Sequence, residues 1–145
     1  DWSSDVCSSD LFREAAQQVY VTGSFWCGAT PMAAAVATIR KMREIDAIAK
    51  MRTVGTRLRE GLDAQAKKHG LQISQTGPVQ MPQILFANDP DFAMGNRFVL
   101  AALQRGVYMH PWHNMFLSAA HTEADIDRVL EATDGALKAV AEQTS

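Results

Sequence analysis

This sequence of 145 residues predicts an α+β fold in which short strands are covered by helices. Residues 31–69 and the segment after residue 122 place apolar side chains at helical spacing. Four short runs of β-forming residues, bounded by glycine and proline, have the length and composition of strands. With no internal repeat in the chain, these observations predict one layer of about four strands against helices.

The composition argues against several classes of protein. A formal net charge of −2 gives no electrostatic reason for a nucleic-acid or anionic-membrane partner. No apolar run approaches the roughly 18 residues of a membrane span. Cys7 and Cys27 form neither a metal-binding spacing nor a disulfide framework, so reduced thiols and a cytoplasmic location are expected.

Residues 1–11 (DWSSDVCSSDL) differ from everything that follows, being polar and aperiodic. They resemble a translated sequencing-adapter read joined to the chain, with a natural disordered Ser/Asp tail as the alternative. Segments of this kind are excluded from fold reasoning. We therefore expect the natural N-terminal part of the protein to be missing from this sequence.

The first half of the body is predicted to be a strand, a loop and two helices. Residues 19–21 are β-formers, residues 22–30 form a loop, and Thr30 with Pro31 is typical of a helix start. Apolar residues then recur every third position up to Val54, a period that would carry the stripe right round one helix. A break with Asp46 as a new N-cap resolves this, and predicts helices at 31–44 and 47–69.

The second half alternates strands and helices. The helix at 47–69 is expected to end at Gly70. Five of its residues are expected to be buried: Ile48, Met51, Val54, Leu58 and Leu62. Strands are predicted at 71–74, 83–86, 107–109 and 116–118, with a helix at 92–104 stopped by Gly106. A capping-box pattern at 122–125 opens a final helix. Its apolar stripe comprises Ile126, Val129, Leu130, Thr133, Leu137 and Val140.

Two segments carry candidate site residues. At the helix start after residue 30, free backbone N–H groups with the hydroxyls of Thr22 and Ser24 could bind a phosphate; an ordinary capped helix is the alternative. The second segment, at 110–114, offers His110, Trp112 and Asn114 as pocket walls. A metal site is not expected there, because Pro111 separates the histidines and no carboxylate or cysteine completes a set of metal ligands with them.

No catalytic residue is predicted in this chain. Cys27 as a nucleophile would need a base and an oxyanion site, and nothing in the sequence specifies either. His121 is expected only to orient the turn before the last helix. The five lysines are all at helical positions or helix ends, which is typical of a solvated face; they are Lys41, Lys50, Lys67, Lys68 and Lys138.

Four stretches together resemble the class III aminotransferases, and most of all their glutamate-1-semialdehyde aminomutase branch. They are residues 21–26 (VTGSFW) with the small-residue run at 33–38 (AAAVAT), 57–62 (RLREGL), 106–111 (GVYMHP) and 116–127 (FLSAAHTEADID). The likeness covers about residues 12–142. It implies a fold-type I enzyme of pyridoxal 5'-phosphate in which 12–45 ends the large domain and 46–145 is the C-terminal small domain.

The resemblance also implies a cofactor site and a partner. Family members are homodimers in which the loop before the small-residue helix donates a hydroxyl to the cofactor phosphate across the interface; Ser24 is the matching residue, with Thr22 and Phe25 beside it. The lysine that holds the cofactor as a Schiff base lies upstream in the family. This chain is therefore expected to be an inactive C-terminal fragment of a transaminase or aminomutase acting on a small amine or amino acid.

One departure from the family bears on the substrate. Many class III transaminases carry an arginine in this C-terminal segment that binds the substrate α-carboxylate. Residues 116–118 read FLS, so an aminomutase-like or unusual amine substrate is expected, with Trp26, His110, Trp112 and Asn114 as pocket residues. Two alternatives stay open: a free-standing α+β binding or regulatory module with Phe25 and Trp26 buried, and a metal-dependent hydrolase with converging histidines.

Overall fold

A computed structural model describes residue 18 and residues 28–144; the predicted strand at 19–21 lies outside them. Within this part the elements are α1 (Ala29–Glu44), α2 (Ala47–Lys68), β1 (Ile73–Thr76), β2 (Gln83–Phe86), α3 (Ala93–Leu103) and α4 (Glu123–Thr144). Four helices and a two-stranded sheet in the described residues confirm the predicted α+β class. None of the helices found there is long and apolar enough to cross a membrane.

The described residues divide into two units between Lys41 and Met42. α1 begins at Ala29, slightly before the predicted start, and tolerates Pro31 because first-turn N–H groups have no intrahelical acceptor. None of its side chains is buried. Its apolar stripe is solvent-exposed, at 52% for Met32, 48% for Val36, 51% for Ile39 and 38% for Met42.

The predicted break between the first two helices is confirmed. α1 ends at Glu44, α2 begins at Ala47, and Asp46 between them has the left-handed conformation with φ 49°. Asp46 does occupy the N-cap position, but its side chain makes no capping hydrogen bond. The break therefore depends on the backbone turn at Asp46 and not on the carboxylate capping that the sequence suggested.

The core of residues 42–145 is formed by α2, α3, α4 and the sheet. α4 packs against both α2 and α3, and its predicted stripe supplies the fully buried Ile126, Leu137 and Val140. Val54, Leu58 and Leu62 of α2 are buried as predicted. Ile48 is not, at 55% exposed, because Ala47 is the first-turn residue that faces inward and Ile48 lies about 100° further round the helix.

β1 and β2 form an antiparallel pair in the register Ile73↔Phe86 and Gln75↔Ile84. Because side chains alternate across a strand, these four share the face toward the core. Ile84 and Phe86 on β2 are buried, and Phe86 contacts Phe98 of α3 edge-on at 5.6 Å. The opposite face carries Ser74 and Thr76, which are exposed.

The strands predicted at 107–109 and 116–118 are absent from the described structure, where neither segment has regular secondary structure. Met115 and Leu117 donate backbone hydrogen bonds to the carbonyls of Pro82 (2.8 Å) and Gln80 (2.9 Å). Pro82 has no N–H to return, so a regular ladder cannot form. At the other segment, the Val107 N–H is used to cap α3 through the Ala102 carbonyl at 3.0 Å.

Polar contacts join α2 to α4. The Thr133 hydroxyl, fully buried, donates to Gln65 Oε1 at 2.8 Å, and Gln65 Nε2 donates to the Leu130 carbonyl at 2.7 Å. Near the end of α2, Lys68 and His69 contact Asp134 at 2.7 Å and 2.9 Å. The hydrogen bonds from Lys68 and then His69 hold the pKa of the Asp134 carboxyl below its usual value. These contacts hold α4 against α2.

Candidate functional site

The segment at 110–114 is a loop held by two elements of the core. Gln83 of β2 donates its Nε2 hydrogen to the Trp112 carbonyl at 2.7 Å. Gly95 of α3 approaches the loop so closely that an added β-carbon would lie 3.2 Å from the Pro111 carbonyl oxygen. The loop is therefore positioned by the sheet edge and the first turn of α3.

His110 organises the loop through one ring nitrogen. The backbone N–H of His113 donates to His110 Nδ1 at 3.0 Å, and that of Trp112 points at the same atom at 3.4 Å. An atom that accepts a hydrogen bond holds a lone pair, so the neutral ring of His110 has its proton on Nε2. Nε2 takes no part in this turn.

His113 has the opposite arrangement. Its Nδ1 lies 2.7 Å from the carbonyl oxygen of Asn114, an atom that can only accept. Nδ1 therefore carries the proton, and the neutral ring keeps a lone pair on Nε2. This contact uses the backbone carbonyl of Asn114 and not its side chain.

The two histidines belong to a chain of ring contacts that includes Trp112 and Phe92. His110 and His113 lie edge to face at 5.6 Å, and Trp112 contacts His110 in the same manner at 4.8 Å. Trp112 also contacts Phe92, with 5.4 Å between the two ring centroids. Trp112 remains 48% exposed and Phe92 36% exposed, so both present ring surface to a ligand.

Phe92 and Gln83 were missed by the sequence reasoning. Phe92 has the left-handed conformation (φ 56°) at the start of α3, where the Asp89 carboxylate accepts from the N–H groups of Met94 and Gly95. The turn signal at 88–90 indicated a change of direction, but not that Phe92 would meet Trp112. Only the pairing of β2 with its neighbours brings Gln83 to the loop.

The structure thus brings together three of the predicted pocket residues, His110, Trp112 and Asn114. The others lie outside the described residues: Thr22, Ser24, Phe25 and Trp26. His121 orients the turn before α4 as expected, since its Nδ1 accepts from the Ser118 N–H at 3.0 Å. In residue 18 and residues 28–144, no three His, Cys, Asp or Glu side chains could hold a metal together.

A separate cleft of about 570 Å³ lies at the end of α3, beside α4. Its described walls are Arg105, Arg128, Glu131 and Ala132. Arg128 is already paired with Asp125, and Arg105 donates to the Ala101 carbonyl at 2.8 Å. Since these cations are committed to their own helices, the 110–114 loop is the better candidate for a small-molecule site.

Solved structures of aminotransferases have this fold. An omega-transaminase from Sphaerobacter thermophilus matches with a TM-score of 0.72 over 84% of this chain and 30% of its own, at 21% identity. The FumI protein of a Sphingopyxis species, solved as the PLP internal aldimine, matches with a TM-score of 0.84 over 94% of this chain and 33% of its own, at 53% identity. The described fold is thus that of a part of each of these two proteins.

Sequence comparison identifies the particular relatives. The aminopentol aminotransferase of Sphingopyxis macrogoltabida is 53% identical over 94% of this chain and 32% of its own length. The glutamate-1-semialdehyde 2,1-aminomutase of Desulforudis audaxviator is 32% identical over 83% of this chain and 31% of its own. The chain is a homologue of a part of these enzymes, in line with the resemblance that its motifs predicted. It spans about a third of their length, and no family model matches it.

Proposed function

We propose that this chain is the C-terminal part of a pyridoxal-phosphate-dependent aminotransferase that acts on a small-molecule amine. The observation that carries the proposal is the 53% identity to an aminopentol aminotransferase, held over 94% of the chain. The aminomutases are more distant, at 32% identity or below in the relatives compared, which favours transamination over the mutase reaction. The proposed domains are a foreign tail at 1–11, the end of the large domain at 12–45 and the small domain at 46–145, in a cytoplasmic homodimer.

Thr22, Ser24 and Phe25 are the residues proposed to touch the cofactor, with Ser24 reaching the phosphate held by the partner subunit. The described part of the chain that bears on the proposed phosphate contact is the N-terminal end of α1. The helix begins at Ala29, with a hydrogen bond from Met32 N to the Gly28 carbonyl at 3.3 Å, and N–H groups in the first turn of a helix have no intrahelical acceptor. Such an end suits an anionic group. When bound, pyridoxal phosphate supplies the electron sink for amino-group transfer.

The lysine that holds the cofactor is proposed to lie outside this chain. All five lysines fall among the described residues and all are exposed: Lys41, Lys50, Lys67, Lys68 and Lys138. Lys68 is paired with Asp134 and Lys138 with Glu142, at 2.7 Å and 3.8 Å. A lysine that reacts as a free amine near neutral pH needs desolvation or a neighbouring cation to lower its pKa. None of the five is buried.

The exposed face of α1 also supports an incomplete enzyme. A helix with an apolar stripe ordinarily buries it against another element, because packing supplies most of a helix's stability. Met32, Val36 and Ile39 are about half exposed. We propose that residues of the large domain cover this stripe in the whole enzyme.

Trp26, His110, Trp112 and Asn114 are proposed to line the substrate pocket. In residues 106–127 there is neither lysine nor arginine, so this segment offers no cation to a substrate carboxylate. Trp112 and Phe92 instead provide apolar surface. An amine without an α-carboxylate therefore suits the pocket better than an amino acid.

The proposal is tested by comparing this chain with a longer protein, which is translated from the gene with the coding sequence upstream of Phe12 included. The longer protein is expected to turn yellow with pyridoxal phosphate and, after borohydride reduction, to carry the cofactor on a lysine upstream of residue 12 by mass spectrometry. The 145-residue chain is expected to do neither. Matched controls are the longer protein with that lysine changed to alanine and this chain with Lys68→Ala. Cofactor attached to any lysine of the 145-residue chain would falsify the proposal.

A further inference from the structure

One peptide group of the 110–114 loop, the group that joins Trp112 to His113, is hydrogen-bonded at both of its ends. Its carbonyl oxygen accepts from Gln83 Nε2 at 2.7 Å, and its N–H donates to His110 Nδ1 at 3.0 Å. A peptide group is planar, so its carbonyl and its N–H turn together. A rotation that breaks the contact with Gln83 therefore also moves the N–H that holds the His110 ring.

The side-chain amide of Gln83 is itself held in one orientation. The Trp112 carbonyl can only accept a hydrogen bond, so it must face the NH₂ group of that amide. The Oε1 atom of Gln83 is then left to face Thr76, whose hydroxyl donates to it at 2.8 Å. Thr76 and Gln83 are cross-strand partners in the register of β1 and β2, so the backbone of the sheet sets the distance between them.

These contacts form one continuous series of hydrogen bonds from the sheet to His110. The series runs from the Thr76 hydroxyl to the Gln83 amide, then to the peptide group just described, and ends at His110 Nδ1. Hydrogen bonds in such a series polarise one another, so the loss of one weakens the next. Trp112 contacts the His110 ring edge to face, with 4.8 Å between centroids, so the position of the histidine also bears on that of the indole.

We propose that Gln83 and Thr76 are positioning residues for the candidate site: they fix the peptide group after Trp112 and, through it, the His110 ring. The proposal rests on the proposed function, in which His110 and Trp112 line the substrate pocket. Gln83 and Thr76 act through these two rings and do not touch the substrate themselves. Losing them should therefore weaken binding of the amine without slowing the chemical step.

The first experiment measures amide hydrogen exchange in the 145-residue chain. Gln83→Glu keeps the size of the side chain but removes the donor to the loop, so the His113 N–H is expected to exchange about tenfold faster. Thr76→Val should give a smaller acceleration, and Thr76→Ser, which keeps the hydroxyl, should restore the parent rate. The Leu117 N–H, bonded to the Gln80 carbonyl at 2.9 Å, is the internal control and should not change.

The second experiment measures the reaction of decylamine with the whole enzyme, followed by bleaching of the yellow cofactor. Gln83→Glu is expected to raise the apparent Kd of decylamine by roughly threefold to tenfold and to leave the limiting rate within about twofold of the parent rate. Thr76→Val should raise the Kd less, and Thr76→Ser should leave it unchanged. The matched controls are Gln104→Glu, at the exposed end of α3, and Thr53→Val, whose hydroxyl donates within α2; both should keep the parent Kd.

The outcomes separate this inference from the proposed function. If the whole enzyme holds no cofactor and converts no amine, the proposed function fails and the role of the loop in binding fails with it, while exchange at His113 still reports whether Gln83 holds the loop. Unchanged exchange at His113 in Gln83→Glu overturns the positioning role whatever the activity. Equal acceleration at His113 and Leu117 would show a general loosening of the fold and would also overturn it, as would a lower limiting rate with an unchanged Kd.

Discussion

Gly55 lies where α2 passes closest to the connection between the two strands. A β-carbon built on it would be 2.4 Å from the carbonyl oxygen of Val79 and 3.1 Å from Cδ1 of Leu117. Gly61, two turns further along the same helix, would meet only the Leu130 side chain, at 2.5 Å from Cδ2. The two glycines differ in what surrounds them: backbone at Gly55, and the end of a flexible side chain at Gly61.

This difference predicts opposite outcomes for one substitution. Both Gly→Ala changes add helix propensity worth about 1 kcal/mol. Gly55→Ala must also displace backbone and should lower the free energy of unfolding by roughly 1–3 kcal/mol. Gly61→Ala should be near neutral because Leu130 can change rotamer. Urea unfolding of the two variants checks this, and equal losses in both would show that the contact with Val79 is unimportant.

For individual residues, the sequence indicated which residue types are present in a segment but not which residues of distant segments are in contact. It predicted His110, Trp112 and Asn114 as pocket residues from their clustering in one loop, and that role stays a prediction. It missed Phe92 and the constraint on Gly55. Both depend on contacts between segments far apart in sequence, for which a single sequence contains no pattern.

Among the elements, α4 has the best-defined start. Thr122 and Asp125 cap it reciprocally: Thr122 N and Oγ1 both donate to the Asp125 carboxylate, at 2.9 Å and 2.7 Å, and Asp125 N donates back to Thr122 Oγ1 at 3.2 Å. The Thr122 hydroxyl first, then its N–H and Arg128, lower the pKa of the Asp125 carboxyl from 3.8 to about 2. The sequence predicted this capping box from its spacing alone.

The lowered pKa predicts a dependence of stability on acid. Since the folded pKa lies below the unfolded one, the Asp125 carboxylate adds stability above pH 3.8 and loses it as the pH falls through about 2. Asp125→Asn should therefore unfold at a lower temperature than the parent chain at neutral pH, with the gap closing toward pH 2. Thermal unfolding followed by circular dichroism measures the gap. Glu131→Gln, on the exposed side of α4, is the control, and a gap in Asp125→Asn that is independent of pH would contradict the prediction.

Local signals predicted most element boundaries. The three-residue apolar period placed the break at 45–46, and Gly70 ends α2 with the Leu71 N–H bonded to the Ala66 carbonyl at 2.9 Å. The predictions that were wrong are the strands at 107–109 and 116–118. Both segments have strand composition. Residues 116–118 lie beside Pro82, which has no N–H to donate to a ladder, and the Val107 N–H of the other segment is bonded to the Ala102 carbonyl.

For the molecule as a whole, the core belongs to the unit from Met42 to Ser145. The described core cluster begins at Val54 and ends at Val140. It draws on α2, α3, α4 and the sheet, with Met109 from the irregular segment after α3. This unit therefore has the buried apolar surface that an independent fold requires.

A chain reduced to residues 42–145 is accordingly expected to fold alone. Its unfolding in urea should be cooperative, with a free energy close to that of the 145-residue chain, because α1 contributes no buried side chain. Leu62→Ala in the short chain provides the comparison and should cost about 2–5 kcal/mol, since Leu62 is 1% exposed. A short chain without a cooperative transition would contradict the assignment of the core.

The sequence alone determined the α+β class, the helix limits, the capping of α4 and the kinship with aminotransferases, because each depends on spacing and residue type within short stretches. Tertiary structure decided the number of strands, the exposure of Ile48, and the meeting of Phe92 and Gln83 with the histidine loop. These depend on which segments pair across the chain and on how much space their backbones leave. The free atoms of His110 and His113 belong to the second group, since the backbone hydrogen bonds of a folded loop select the tautomers.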